Sequence, residues 1–344
     1  LRHFYFVEKK GDGIMPNLSQ VHVNRPLTNM STAYIQDKAD FIADQVFPNI
    51  PVQNKSDRYF AYNKGDMMRD EAQVRAPASQ SAGGDYDIDN TPSYSCTRWG
   101  FHKDVSDEEI SNSDTPLDAQ RDATQFVTQK LLIKKETIWQ NTFFKAGIWG
   151  TDFSGLAEAS APTGNNLCFW DDYLNSAPIL NIRTGKKLIK GNTAFEANTL
   201  VLGRDVFDKL CDHPLVLARI QYTQRAVATE EILASLFGVP KVLVANAVVN
   251  SANKGQTDNI GFLFSRSALL CYSEPNPGIL KPSAGYTFSW KGLMGANAWG
   301  SNIKSFYMEK EEATRIDGQM YFDMKVIGND LGVFYNDIIS PPTD

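Results

Sequence analysis

The segment Asp57–Asp114, DRYFAYNKGDMMRDEAQVRAPASQSAGGDYDIDNTPSYSCTRWGFHKDVSDEEISNSD, contains no leucine, and Val74, Ile88, Val105 and Ile110 are its only branched aliphatic residues. So little apolar area does not offset the entropy lost when the backbone is ordered. The segment nevertheless has a strand-like plan. Tyr59, Tyr62, Tyr94, Cys96, Trp99 and Phe101 mark two β-like flanks, and Ala82-Gly83-Gly84-Asp85 supplies turn chemistry between them. Twelve acidic residues against six basic ones give it a charge of −6, equal to that of the whole chain of 344 residues. The reading is a long, thin, acidic hairpin that becomes ordered on a surface supplied by a neighbour.

The hairpin runs into a strong helix signal. Asp114 or Thr115 stands where an N-cap is wanted, Pro116 suits the first helical position, and Asp118 complements the helix dipole. From Leu117, the residues Ala123, Phe126, Val127, Leu131, Ile138 and Thr142 keep an apolar face until Gly147. About thirty residues at helical rise predict a spine of roughly 45 Å. Upstream, Ile35, Ala39, Ile42 and Val46 are spaced as in a short helix within Asn29–Val46, and Pro48 and Pro51 then impose extended backbone. The opening Leu1 and the run Lys9-Lys10-Gly11-Asp12-Gly13 before Met15 read as a translated leader, an expectation that N-terminal sequencing of protein made from the native gene would check.

Downstream, 151–170 reads as a polar connector and an α/β unit begins near Asp171. Thr199–Gly203 is a predicted buried strand, Arg204–Asp212 a helix stopping before Pro214, and Thr229 caps a helix through Phe237. A Gly238-Val239-Pro240 break, a strand Lys241–Val244 and a strand region Ile260–Tyr272 follow. From Gly285 the period changes to two. Tyr286–Trp290, Ile303–Tyr307 and Met320–Ile327 are expected to pair as a meander beside the spine. The fold class is α+β.

Several functions are excluded by what is missing. Net charge −6 and pI near 5.4 disfavour a nucleic-acid-coating protein. Four scattered cysteines, Cys96, Cys168, Cys211 and Cys271, form no disulfide framework. No run approaches the ~20 apolar residues of a membrane helix. His3, His22, His102 and His213 fall in no zinc or triad pattern, and there is no G-x-S-x-G elbow, Walker loop or G-x-G-x-x-G fingerprint. Cys211 and His213 read as helix-end packing before Pro214, and Asp171-Asp172 as a helix opening. Asp85, Asp87 and Asp89 match the first half of a calcium loop, but Asn90 stands where glycine is needed and Cys96 where a bidentate carboxylate is needed. A solvated or partner-facing acidic row is the favoured reading. No catalytic residue, cofactor site or metal site is assigned.

Several segments, in order, resemble the major capsid proteins of tailed bacteriophages: Ala43-Asp44-Gln45-Val46-Phe47-Pro48; Tyr62-Asn63-Lys64-Gly65-Asp66 leading to Arg75-Ala76-Pro77; the capped spine; and Leu200-Val201-Leu202-Gly203 with Leu210 and His213-Pro214. Glu231-Ile232-Leu233-Ala234 with Leu236-Phe237-Gly238-Val239, then Phe288-Ser289-Trp290 and Val333-Phe334-Tyr335-Asn336-Asp337, complete the series. The resemblance covers about Met15 to Ile339.

It implies the tailed-phage major capsid fold: a leader or disordered terminus at 1–14, an N-terminal arm at 15–56, and an extended β-hairpin loop at 57–113 lying across an adjacent subunit. A peripheral domain follows at 114–170 and 286–340, containing the spine helix, with an α/β axial domain at 171–285 around capsomer centres. It further implies a structural, non-enzymatic subunit that self-assembles as hexamers and pentamers into the icosahedral head shell enclosing double-stranded DNA, without sequence-specific DNA binding or membrane association. Its place would be the virion capsid, assembled in the bacterial host cytoplasm, with scaffold, portal and decoration proteins as further partners. The expected inter-subunit contacts join Asp85, Asp87 and Asp89 to Arg121, Lys130, Lys134 and Lys135. Lys64 is the candidate for the isopeptide cross-link that some relatives form, with no partner asparagine matched. The alternatives are an encapsulin-like nanocompartment shell, which has the same fold, and a soluble enzyme with an unrecognised site in 171–285.

Overall fold

The computed structural model describes residues 40–112, 118–157, 164–220, 229–278, 281–292, 297 and 300–341. The expected leader, the first part of the arm helix, the Asp114–Leu117 helix start, His3 and His22 lie outside them. In chain order the first half contains α1 (Ala43–Val46), β1 (Asn49–Val52), β2 (Ser56–Arg58), β3 (Ala61–Tyr62), α2 (Lys64–Met67), β4 (Ile88–Asp89), β5 (Ser93–Ser95), β6 (Thr97–Ser106), α3 (Asp107–Asn112) and α4 (Ala119–Phe143). Next come β7 (Thr151–Leu156), β8 (Asn166–Cys168), α5 (Pro178–Thr193), β9 (Thr199–Gly203), α6 (Arg204–Cys211), α7 (Pro214–Ile220) and α8 (Glu230–Phe237). The chain then forms β10 (Lys241–Ala245), β11 (Val248–Asn250), β12 (Ile260–Phe262), β13 (Ala268–Cys271), β14 (Gly285–Trp290), β15 (Ser301–Met308), β16 (Ala313–Val326) and β17 (Gly332–Asn336).

Among the described residues α4 is the spine. Asp118 is its N-cap: the carboxylate accepts from the amides of Gln120 and Arg121, each at 3.1 Å, satisfying two donors that the first turn leaves open. The helix ends at Phe143, short of Gly147, so its 25 residues span roughly 37 Å. Its buried stripe differs from the predicted one. Phe126 is 43% exposed, whereas Thr124, Thr128, Lys135 and Glu136 are buried beside Val127, Leu131 and Trp139. Thr124 and Thr128 enter that stripe because each hydroxyl donates to the carbonyl four residues back, at 2.8 Å.

The spine lies against a five-stranded sheet whose hub is β16. This long strand pairs antiparallel with β15, with β6 and with β14, and β1 adds in parallel to β14. The expected meander is therefore corrected: β16, the last of the three in sequence, pairs with both β14 and β15. Gly318 on β16 makes the helix contact possible, since a Cβ there would come within 2.5 Å of Val127 and 2.8 Å of Leu131.

A second sheet has the order β10-β9-β13-β17-β7-β8. Its central strands β9 and β13 are buried on both faces, as their unbroken apolar runs require. The strands Thr199–Gly203 and Lys241–Ala245 and helices α6 and α8 follow the predicted segments closely, and Gly238 closes α8 with φ +63°. The single strand region expected at Ile260–Tyr272 is split into β12 and β13, which belong to different sheets. Strand β17 joins this second sheet beside β13 and β7, so the chain's return contributes to both sheets.

Candidate assembly surfaces

The junction of arm and spine is built on buried polar contacts. Glu136 presents its two carboxylate oxygens to the amides of Ile42 and Ala43, each at 3.0 Å, at the open end of α1. Burial raises its pKa, against the pull of those two amides, to about 7. Beside it Lys135, only 5% exposed, is ion-paired with Asp44. Phe47 then packs on Phe143 at 4.6 Å between ring centroids and on Trp139 at 6.1 Å. The carbonyls of Gln45 and Val46 accept from Lys241 Nζ and Ser273 Oγ, each at 2.6 Å. Sequence periodicity missed Glu136, because a carboxylate in an apolar stripe looks like an exposed position until the amides it serves are known.

The hairpin is the opposite case. No residue from Gln53 to Ser93 is buried. Two short antiparallel ladders, β2 with β5 and β3 with β4, hold its base. Phe60, Met67, Met68, Val74, Tyr86 and Ile88 are exposed on it, and Val74 reaches its full possible area. The turn expected at Ala82–Asp85 lies elsewhere: Ser79 N donates to Ala76 O at 3.2 Å, with Ala78 at φ +62°. The hairpin's root is firm, with Tyr94 stacked on Phe288 at 4.6 Å and Cys96 fully buried. Trp99 and Phe101, read as hairpin flank, lie on β6 within the main sheet.

Asp85, Asp87 and Asp89 are all exposed. Asp89, which accepts from the hydroxyl and amide of Thr91, is held below the usual carboxylate range. Only Asp89 of the three lies in a strand, so they form no regular row. On the spine, Arg121, Lys130 and Lys134 are exposed; Lys130 Nζ lies 5.3 Å from the Phe126 ring centre and Lys134 Nζ 4.7 Å from that of Trp99. Phe126 meets Phe101 edge-on at 5.7 Å. The structure brings Lys130 and Lys134 and the two exposed aromatics onto one surface; Arg121 lies about half a turn around the helix from Lys130, and Lys135 points inward. Within one chain the three aspartates are paired with none of the four. Lys64 is ion-paired with Asp330.

Chemistry elsewhere is structural. His213 is fully buried, its Nδ1 accepts from Leu215 N at 3.1 Å at the start of α7, and its Nε2 lies 3.0 Å from Ser176 Oγ. With Nδ1 accepting, Nε2 carries the proton and has no lone pair for taking one from the serine. Asp171 and Asp172 open no helix: Asp172 caps the turn at Leu174 and Asn175, Asp171 accepts from Ser340, and α5 begins at Pro178. Cys96, Cys168, Cys211 and Cys271 are in no disulfide. Among the described residues no cluster of histidine, cysteine and carboxylate side chains is placed to hold a metal ion, and no helix is long and apolar enough to cross a membrane.

An unburied hairpin, a sheet-backed spine and a second α/β sheet define the tailed-phage major capsid fold. A phage-related protein of Bordetella bronchiseptica has this architecture with TM-score 0.70, at 19% identity, over 93% of this chain and 99% of that one. The capsid of Cyanophage P-SCSP1u matches with TM-score 0.56 at 12% identity, over 87% of this chain and 89% of that one. In sequence the chain is 23% identical over 291 residues to the major capsid protein of Burkholderia phage BcepMu, covering 81% of this chain and 87% of that protein. No protein-family model matches.

Proposed function

We infer that the chain is a structural major capsid protein, a subunit of a self-assembled shell. The observation that carries this is the hairpin, which buries no residue between Gln53 and Ser93 although it is rooted in a closely packed body. Such a segment gains its ordering energy from neighbours, so folding of the loop and assembly of the lattice are coupled. Sequence similarity to a phage major capsid protein supports the phage shell over the encapsulin-like compartment. The subunit has no catalytic cycle in this reading.

The finer picture extends that reading. Residues 15–56 are the arm and 57–113 the extended loop. The peripheral domain is 114–170 with 286–340, of which β7, β8 and β17 reach into the sheet of the axial domain, 171–285, at the centre of hexamers and pentamers. The shell encloses double-stranded DNA, and scaffold, portal and decoration proteins complete the head in the host cytoplasm. The acidic loop lies on the exposed strip of a neighbour's spine, with Asp85, Asp87 and Asp89 facing Arg121, Lys130 and Lys134, and Tyr86 and Ile88 covering Phe101 and Phe126. Raised salt then slows assembly.

Negative-stain electron microscopy with size-exclusion chromatography of the purified chain tests this. Rings of five or six, or closed shells, are expected; a monomer that persists at high concentration, with or without co-expressed phage proteins, would refute the shell reading.

A further inference from the structure

Helix α5 carries Arg183, Lys186, Lys187 and Lys190 and no acidic residue. Spacings of three, four and seven residues put all four cations on one face of the helix, where like charges one turn apart are unfavourable unless anions lie among them. That face borders an open cleft of about 620 Å³, closed on the other side by Leu236 and Phe237 at the end of α8. Leu236 is half-buried and Phe237 buried, so the cleft has a cationic wall over a partly apolar floor.

One half of the wall already holds an anion. Glu196 presents one oxygen to Lys186 and the other to Lys190, each at 3.2 Å, and these two lysines hold its carboxyl below the usual range. Lys186 also donates to Gly238 O, on the residue that caps α8. The other half repeats the spacing without the anion. Arg183 and Lys187 stand four residues apart, as Lys186 and Lys190 do, roughly 6 Å along the helix. Both are exposed, and neither has an ion-pair partner among the described residues.

We propose that this cleft is a docking site for an acidic peptide segment of a second protein: one carboxylate lies between Arg183 and Lys187, as Glu196 lies between Lys186 and Lys190, and a neighbouring apolar side chain covers Leu236 and Phe237. The planar fork of Arg183 suits a carboxylate. Duplex DNA fits less well. Its phosphates would meet the cations but leave the apolar floor uncovered, Glu196 would repel them, and a polyanion surface extends as a basic stripe. The chain's own acidic stretch, the hairpin, is assigned above to a neighbour's spine, so the segment comes from a different protein.

Fluorescence polarisation of the purified full chain with a short labelled peptide of alternating glutamate and leucine tests this. Binding is expected, and it should weaken as salt is raised. Arg183→Glu with Lys187→Glu should lower the affinity about tenfold or more, with circular dichroism unchanged. Glu196→Gln should raise it, because Lys186 and Lys190 are then open to a second carboxylate, a gain that misfolding would not produce. A peptide of alternating glutamate and serine should bind more weakly, since nothing on it covers the apolar floor. The charge-reversed chain should assemble as the parent does. Absence of peptide binding, unchanged affinity in the reversed variant or equal binding of the serine peptide would overturn the proposal. Tighter binding of labelled duplex DNA would do the same and give the cleft to nucleic acid, and lost assembly of the reversed variant would give it to a neighbouring copy. A parent chain that binds the peptide yet never assembles would refute the shell reading and leave this site standing.

Discussion

The arm junction and the hairpin, separated by a few residues of β1, satisfy their polar and apolar groups in opposite ways. At the junction, Glu136 takes both amides of α1, Asp44 pairs with Lys135, and Phe47 is enclosed by Trp139, Phe143 and Trp149. On the hairpin, Asp85, Asp87 and Asp89 are exposed and Phe60, Met68 and Val74 face water. The junction is complete inside one chain, and the hairpin is complete only when another chain arrives. A mutation at the junction should therefore register as lost stability of the isolated subunit, and one on the hairpin as lost assembly.

The largest effect on the isolated chain is expected from Trp139→Ala. This ring is fully buried among Phe47, Phe143, Phe144 and Phe264, so its removal should cost about 3–5 kcal/mol in denaturant unfolding. Glu136→Ala should follow at about 1–3 kcal/mol, since two amides lose their acceptor in a dry site.

The same residue gives a pH test. Its folded pKa of about 7 lies above the ordinary 4.5, so the folded state holds the proton more tightly than the unfolded one. The stabilisation from that protonation is fully present below about 4.5 and is lost as pH rises through 7, with a span of up to roughly 3 kcal/mol. Glu136→Gln should flatten the change in unfolding midpoint between pH 5 and pH 8, and an unchanged pH profile would contradict the assignment.

Gly318→Ala should cost about 1–3 kcal/mol, because the new methyl presses Val127 and Leu131 away from β16. At the small end, joint replacement of Asp85, Asp87 and Asp89 by lysine should change the unfolding midpoint of the isolated chain by less than about 0.5 kcal/mol. The same variant should fail to form rings or shells by electron microscopy. Loss of stability there, or normal assembly, would collapse the distinction between the two regions.

Much of the fold was legible from local pattern. The apolar run Thr199–Gly203, the Thr229 start and Gly238 stop of α8, and the period-two strands after Gly285 each reflect a residue's immediate neighbours. The hairpin was legible for a different reason: its poverty in aliphatic residues is a property of composition. What failed were inferences about partners distant in sequence. The buried side of α4 includes Lys135 and Glu136, which fit only because Asp44 and two arm amides wait for them. Lys135 for that reason left the set of candidate contact residues, and Phe126, apolar yet exposed, entered the surface that a neighbour would cover.

Composition and periodicity thus dictate that the chain has a thin acidic projection, a long helix and two β-rich regions, because burial tendency and backbone preference act over a few residues. Tertiary structure alone decided that β16 pairs with both β14 and β15, that β17 crosses into the second sheet, and that the cations of α5 gather around the C-terminal end of α8. Hydrogen-bond register and Coulomb interaction depend on distance in space, and residues as far apart as Ile42 and Glu136 become neighbours only once the chain has folded.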